Sequence, residues 1–109
     1  MYLFEFVTTP KGVVRGAAEQ QKIDQQCAHL ALYQFKTCPF CIKVRREMRR
    51  LSLPIALRDA QKNQQYRTEL LQCGGMIKVP CLQIRGDDGT LQWLYESTEI
   101  NRYLHQRFG

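Results

Sequence analysis

Two cysteines separated by two residues are the feature of this sequence best suited to chemistry. They lie in Cys38-Pro39-Phe40-Cys41, and the proline favours a helix that begins here, since Pro lacks the N–H that would have no partner in a first helical turn. Cys38 is then at the helix N-terminus, where unpaired N–H groups and the helix dipole stabilise a thiolate. Cys41 lies one turn further on and is more covered. The pattern predicts a dithiol with Cys38 as nucleophile and Cys41 as resolving thiol.

Two less reactive interpretations of this pair are a metal half-site and simple core packing. A zinc site usually needs four ligands in two close pairs, but the sequence has no second C-x-x-C and no H-x-x-x-H, and Cys73 and Cys81 are eight residues apart. Five cysteines, an odd number, also do not fit the disulfide framework of a secreted domain. We therefore predict redox chemistry, with no metal site and no bound cofactor.

The elements that must position the dithiol follow in the order β-α-β-α-β-β-α. Hydrophobic patterns predict strands over residues 30–35, 53–57, 79–84 and 91–95, and helices from 39, over 60–73 and from 97. Asp59 and Ser97 are the predicted N-caps of the last two helices, and Gly74-Gly75 is a helix stop. The two βα units imply that strands pair in parallel. The Asp-Gly turn implies that the last two strands form an antiparallel hairpin. The prediction is an α/β fold, with a mixed four-stranded sheet and helices on both faces.

The first part of the chain has a different composition. We interpret residues 1–28 as an N-terminal extension that is helical over residues 17–27. Its apolar start, followed by Lys11 and Arg15, could contact a membrane or dock onto the domain of residues 29–109, and we favour docking. Its apolar start, residues 2–7, is interrupted by Glu5 and is much shorter than the ~18–20 residues of a membrane-spanning helix. It also lacks the pattern of a secretory signal. We expect a cytoplasmic protein without a membrane span.

The positive charge of the chain is less specific. The formal net charge is +6 and the pI about 9.3, which would attract nucleic acid, anionic lipid or small anions. Four arginines of the helix after Cys38 are predicted to face solvent: Arg45, Arg46, Arg49 and Arg50. The exposed aromatics that nucleic-acid-binding surfaces interleave with such charges are missing, so we expect no nucleic-acid partner.

The segment from Tyr33 to Cys41 resembles the active-site segment of glutaredoxins, which belong to the thioredoxin superfamily. Forty residues later, Lys78-Val79-Pro80 is similar to the Val-Pro element of that superfamily, whose proline is cis. The resemblance covers about residues 29–108 and implies the thioredoxin-like fold. It also implies a glutathione-dependent thiol–disulfide oxidoreductase with glutathione as co-substrate. Its partners would be disulfide-containing or glutathionylated proteins.

The resemblance further implies where glutathione binds. The Val79 backbone would pair with the cysteine residue of glutathione, beside Pro80 and Cys38. Glu96-Ser97 resembles the Glu-Ser pair in the thioredoxin-like domain of glutathione transferases, and it suits the γ-glutamyl end of glutathione. Ser97 and the helix N–H groups would hold the α-carboxylate, and Glu96 the α-ammonium. An ordinary N-cap is the alternative for Ser97.

Three cations are candidates for the glycine carboxylate of glutathione: Lys36, Arg67 and Lys78. Lys36 is one position closer to the first cysteine than the usual glutaredoxin lysine, and Lys78 stands where many relatives have threonine. Phe40, inside the motif, completes the predicted site. Cys81 directly follows Pro80, and we predict that it packs in the core.

Two other functions stay open from the sequence. One is a glutathione- or iron–sulfur-binding module with little turnover, which Cys41 disfavours, since such proteins mostly have serine at the second motif position. The other is a thioredoxin-type protein recharged by a reductase, which Phe40 and the Glu96-Ser97 pair disfavour.

Overall fold

The computed structural model describes residues 12–109, which form four helices and one four-stranded sheet. In chain order the elements are α1 (Ala17–Cys27), β1 (Leu30–Gln34), α2 (Pro39–Arg50), β2 (Ala56–Asp59), α3 (Gln64–Gly74), β3 (Cys81–Arg85), β4 (Leu91–Tyr95) and α4 (Ser97–Phe108). The strand order is β2-β1-β3-β4. Strand β1 pairs parallel with β2 and antiparallel with β3, and β3 and β4 form an antiparallel hairpin. The predicted mixed sheet is confirmed, and its arrangement is the thioredoxin-like fold.

Helices cover both faces of this sheet, as predicted. Every residue of β1 is buried, because it is a central strand between two layers. Its side chains alternate between the faces. On the face covered by α2 and α4, the core contains Leu30, Leu32, Val44, Met48, Leu82, Ile84, Ile100 and Leu104. On the opposite face, α3 covers a smaller core of Ala31, Tyr33, Ala60, Leu70 and Cys81.

The second strand lies later in the chain than predicted. It runs over Ala56–Asp59, whereas Leu53 and Ile55 of the predicted strand are buried in the main core before it begins. The predicted start of the next helix at residue 60 is therefore wrong. Ala60 still donates its N–H to the Gln34 carbonyl, at 3.0 Å, and so remains attached to the sheet.

Helix α3 also has a different cap from the predicted one. The Asp59 carboxylate accepts the N–H groups of Gln61 and Lys62, at 2.9 and 3.1 Å, and closes a turn. The cap is Asn63, whose Oδ1 accepts the N–H of Tyr66 at 3.1 Å. The helix ends at Gly74, and Gly75 after it has a φ of 101°, which suits glycine, so the predicted stop is confirmed.

Two other boundaries differ by one or two residues. Strand β3 begins at Cys81, directly after the Val79–Pro80 peptide, which is cis as the resemblance implied. Ser97 is the first residue of α4 and not its cap, which is Glu96. On α3, Leu70 is fully buried, whereas the neighbouring Leu71 is 49% exposed.

Residues 12–27 contact the ends of α2 and α4. Val13 donates its N–H to the Arg50 carbonyl at 2.9 Å and accepts the Ser52 hydroxyl at 2.7 Å. Arg15 donates to the Phe108 carbonyl at 3.3 Å. Cys27, at the end of the predicted and observed helix α1, is buried in the main core. The predicted apolar segment at residues 2–7 lies outside the described residues.

No helix within residues 12–109 has both the length and the apolar character needed to cross a membrane.

Candidate active site

Cys38 is the N-cap residue of α2. Its backbone is extended, with φ −69° and ψ 125°, and its carbonyl accepts the N–H of Ile42 at 2.9 Å. The Cys38 N–H donates to the Phe35 carbonyl at 3.3 Å, which links the helix start to the end of β1. The thiol is partly exposed. The sulfur is thus attached at a helix N-terminus, where the N–H groups of the first turn and the dipole favour a negative charge.

Cys41, one turn into α2, is fully buried. Burial is the main reason why the pKa of its thiol is raised to about 12, and a hydrogen bond to Cys38 also raises this pKa. A hydrogen bond from the Phe35 backbone lowers the pKa but does not cancel these effects. The thiol is therefore protonated at neutral pH, and it can donate its S–H to the Cys38 sulfur. The arrangement provides one accessible sulfur and one protonated reserve thiol.

A cleft of about 190 Å³ begins next to this motif. Three segments line it: the first turn of α2, the residues before β3 and the start of α4. The lining residues are Phe40, Lys78, Val79, Pro80, Glu96, Ser97 and Thr98. Cys38 is two residues from Phe40, which places their Cα atoms about 7 Å or less apart. The volume is below the roughly 300–1,000 Å³ of complete small-molecule pockets, so it suits one end of a peptide-sized ligand.

The start of α4 presents a carboxylate and a hydroxyl to this cleft. Glu96 has φ 75°, a backbone region that costs a non-glycine residue of order 1–3 kcal/mol. Its carboxylate forms an ion pair with Lys78 across the cleft, and both side chains are about half exposed. Ser97, by contrast, is only 7% exposed. The cleft thus combines an anion, a cation, a hydroxyl and a helix N-terminus, which together complement a zwitterionic group.

The structure therefore brings together most of the residues predicted to bind glutathione. The cleft contains Phe40, Lys78, Val79, Pro80, Glu96 and Ser97. Lys36 and Arg67 are not among its lining residues: Lys36 is exposed after β1, and Arg67 is half-buried on α3. The binding role of every one of these residues stays a prediction.

Cys81 lies beside the cleft but within the core. It follows Pro80, is fully buried, and stands opposite Tyr33 and Tyr95 in the neighbouring strands. Burial raises the pKa of its thiol to about 12, against the effect of a hydrogen bond with Tyr95. Its position agrees with the predicted packing role.

The sequence prediction was wrong about Arg45, which was expected to face solvent. Its side chain is 5% exposed and reaches from α2 back to the end of β1. It donates hydrogen bonds to the Gln34 side chain and, at 2.7 Å, to the Lys36 carbonyl. The helical spacing of the sequence could have predicted this burial. Arg45 follows Cys41 by four residues and therefore lies on the same helix face as the buried Val44 and Met48.

Within residues 12–109, no cluster of three or more His, Cys, Asp or Glu side chains has the arrangement of a metal site.

Comparison with known proteins places this chain among glutathione-associated domains. Residues 32–109 match the model of the glutathione S-transferase N-terminal domain. Prostaglandin E synthase 2 of Mus musculus is 42% identical over 71 residues, which are 65% of this chain and 17% of that protein.

Solved structures show the same fold at lower identity. Maleylacetoacetate isomerase from Anaeromyxobacter dehalogenans 2CP-1, with bound GSH in its active site, has a TM-score of 0.57 and 23% identity, over 72% of this chain and 37% of that chain. Oxidized glutaredoxin 2 from Chlamydomonas reinhardtii has a TM-score of 0.53 and 18% identity. The match covers 86% of this chain and 90% of the glutaredoxin chain.

This chain thus spans about a sixth of the synthase and just over a third of the isomerase, but nearly the whole of the glutaredoxin. Because the family match extends from β1 to the last residue, the chain belongs to the glutathione S-transferase N-terminal domain family, on the thioredoxin-like fold that this family shares with glutaredoxins.

Proposed function

We propose that this protein is a glutathione-dependent thiol–disulfide oxidoreductase that acts through Cys38. The observation that carries the proposal is the position of a partly exposed cysteine at the N-terminus of α2, next to a cleft suited to a zwitterionic ligand. Family membership supports glutathione as that ligand. Disulfide-containing or glutathionylated proteins are the proposed partners.

The proposed reaction begins on a glutathione mixed disulfide. The Cys38 thiolate attacks the glutathionyl sulfur, a new disulfide forms between Cys38 and glutathione, and the substrate thiolate leaves and takes up a proton. A second glutathione thiolate then attacks this disulfide, releasing oxidised glutathione and the Cys38 thiolate. Alternatively, Cys41 attacks Cys38, which releases reduced glutathione and leaves an internal disulfide.

The cleft supports a specific orientation of glutathione. The γ-glutamyl end would lie at the start of α4, with its α-carboxylate on Ser97 and the helix N–H groups, and its α-ammonium on Glu96. The cysteine residue would lie along Val79 and direct its sulfur towards Cys38. Of the three cationic candidates for the glycine carboxylate, Lys78 alone lines the cleft, and its side chain would have to leave Glu96 to reach a carboxylate at the other end of the tripeptide.

The experiment compares wild type, Cys38→Ser and Cys41→Ser in glutathione-coupled reduction of a small mixed disulfide. We expect Cys38→Ser to fall to the uncatalysed rate and Cys41→Ser to retain activity by the route that needs only Cys38. Cys73→Ser, which removes an exposed thiol outside the motif, is the matched control and should behave as wild type. Full activity of Cys38→Ser would exclude the proposal.

A second candidate function is glutathione transfer or isomerisation. It is favoured by the match to the transferase family and by the fold shared with maleylacetoacetate isomerase. Transfer to a small chloronitrobenzene electrophile would distinguish it, because such a reaction needs the thiolate of glutathione and not a dithiol. Turnover of the electrophile by Cys38→Ser, without disulfide reduction by wild type, would support this candidate.

A further inference from the structure

The ion pair between Lys78 and Glu96 lies in the cleft that we propose for glutathione. Lys78 precedes the cis Val79–Pro80 peptide and Glu96 precedes α4, so the pair joins two of the three segments that line the cleft. The Lys78 ammonium donates to the Glu96 carboxylate. The carboxylate proposed to receive the ligand therefore already binds a cation of the protein.

Glu96 is directed to this cation and not to its own helix. It is the N-cap residue of α4, yet within residues 12–109 its side chain makes no capping hydrogen bond. Its φ of 75° is a costly backbone region for a residue with a side chain, and such conformations are concentrated at ligand-binding and catalytic sites. The Glu96 carboxylate thus leaves the N–H groups of the first turn of α4 to another anion.

The cation bound by Glu96 is chemically the same group as the α-ammonium of glutathione. Both are primary ammonium groups with three donor hydrogens and one positive charge. A carboxylate that forms an ion pair with one of them is an equally suitable partner for the other. The ligand therefore cannot place its ammonium on Glu96 without competing with Lys78.

A ligand can overcome this competition. The two side chains are 50% and 60% exposed, and ion pairs of this exposure shift an equilibrium constant by a factor of about five or less. Lysine also has a flexible four-carbon stem, so its ammonium can move into solvent without a change in the backbone. A ligand with its own ammonium loses part of its binding energy in this exchange, whereas a ligand without one leaves the pair intact.

We propose that Lys78 is a specificity-determining residue: in the unliganded cleft its ammonium occupies the position on Glu96 that the α-ammonium of the ligand takes on binding. The inference rests on the proposed function, in particular on the γ-glutamyl end of glutathione lying at the start of α4. Its consequence is that Lys78 reduces the preference of the cleft for ligands with a free α-amino group.

The test compares two tripeptides that differ only in this group: reduced glutathione and its deamino analogue, glutaryl-cysteinyl-glycine. Dissociation constants are measured on the full, reduced chain by NMR titration. The constant of the analogue divided by that of glutathione gives the preference for the ammonium. Lys78→Gln should raise this ratio about twofold to fivefold. Lys43→Gln, which removes an exposed charge from α2, should leave the ratio unchanged.

A double-mutant cycle separates exchange at Glu96 from general repulsion between Lys78 and the ligand. Glu96→Gln removes the shared partner and should lower the ratio below that of wild type. In that background, Lys78→Gln should have no further effect on the ratio. Lys78→Arg keeps the cation and should show a ratio no higher than that of wild type.

The remaining outcomes contradict one proposal or both. An unchanged ratio in Lys78→Gln, an equal rise with and without Glu96, or a rise in Lys78→Arg would overturn the inference and leave disulfide reduction through Cys38 intact. Binding of neither tripeptide by wild type would also overturn the inference. If wild type in addition fails to reduce a glutathione mixed disulfide, the proposed function is wrong as well.

Discussion

Cys38 and Cys41 carry the same functional group, yet their surroundings give them different chemistry. Cys38 is open to solvent at a helix N-terminus, whereas Cys41 is enclosed one turn later. A thiol reacts as its thiolate, so exposure and local charge decide which sulfur attacks first. The order of the reaction is thus determined by the position of each sulfur in α2.

Alkylation of the native protein should reveal this difference. Burial raises the pKa of the thiols of Cys27, Cys41 and Cys81, to about 11, 12 and 12, so these thiols stay protonated at neutral pH. A short pulse of iodoacetamide should modify Cys38 and Cys73 alone, and all five cysteines in denaturant. Peptide mapping by mass spectrometry measures the result. Labelling of Cys41 as fast as Cys38 in the folded, reduced protein would contradict the assignment.

Ser97 offers a test of the ligand's orientation. Its replacement by alanine removes the proposed donor to a carboxylate, and hydrogen bonds to charged groups contribute about 1.5–3 kcal/mol. We expect Ser97→Ala to raise the KM for glutathione by about tenfold to a hundredfold, with a smaller effect on kcat, since Cys38 is untouched. Thr90→Ala, which removes a hydroxyl from the β3–β4 turn, is the control. An unchanged KM in Ser97→Ala would place the γ-glutamyl group elsewhere.

At the scale of the elements, two different residues close the turn before α3 and cap the helix. Asp59 binds the N–H groups of Gln61 and Lys62 and closes the turn, and Asn63 then caps the helix. Loss of an N-cap costs about 1 kcal/mol. Asn63→Ala should therefore lower the free energy of unfolding by about that amount.

Urea denaturation followed by circular dichroism measures this change. Gln64→Ala, at the exposed first position of the helix, is the matched control and should alter stability by less than about 0.5 kcal/mol. If Asn63→Ala had no effect while Asp59→Ala acted like a cap deletion, the helix would begin where the sequence pattern placed it.

Most elements could be predicted from the sequence because their signals are local. The apolar run of β1, the Pro39 start of α2 and the Asp-Gly turn each specify a conformation without reference to the rest of the chain. The shifted boundaries are those that depend on tertiary structure. The register of β2 is fixed by its pairing with β1, from Ala31 opposite Ala56 onwards, and no local pattern encodes that pairing.

At the scale of the whole molecule, the candidate site was predictable where a motif was present. The residues of the cleft come from three segments between Phe40 and Thr98, and the resemblance to glutaredoxins and transferases identified each segment. The burial of Arg45 was not predicted, because arginine side chains are rarely buried in proteins. Its position on the apolar face of α2 was the evidence in the sequence that this arginine differs. Thr98 lines the cleft without any motif of its own.

The buried thiols also affect the stability of the whole molecule. A thiol ionises in the unfolded chain near pH 9, whereas Cys27, Cys41 and Cys81 stay protonated in the fold up to about pH 11–12. Above pH 9 the folded state therefore binds more protons than the unfolded state, and the free energy of unfolding falls as pH rises. Below pH 9 this contribution is fully present.

We expect the reduced protein to lose stability between neutral pH and about pH 10.5, with each buried thiol contributing on the order of 1 kcal/mol per pH unit above its unfolded pKa. Urea midpoints at the two pH values measure the loss. Cys27→Ala lacks one of these thiols. The cavity that it leaves should lower the free energy of unfolding at neutral pH, but this free energy should then fall less than in wild type as the pH rises. Cys73→Ala, which removes an exposed thiol, should retain the wild-type slope. Identical slopes for Cys27→Ala and wild type would mean that ionisation of this core thiol does not oppose folding.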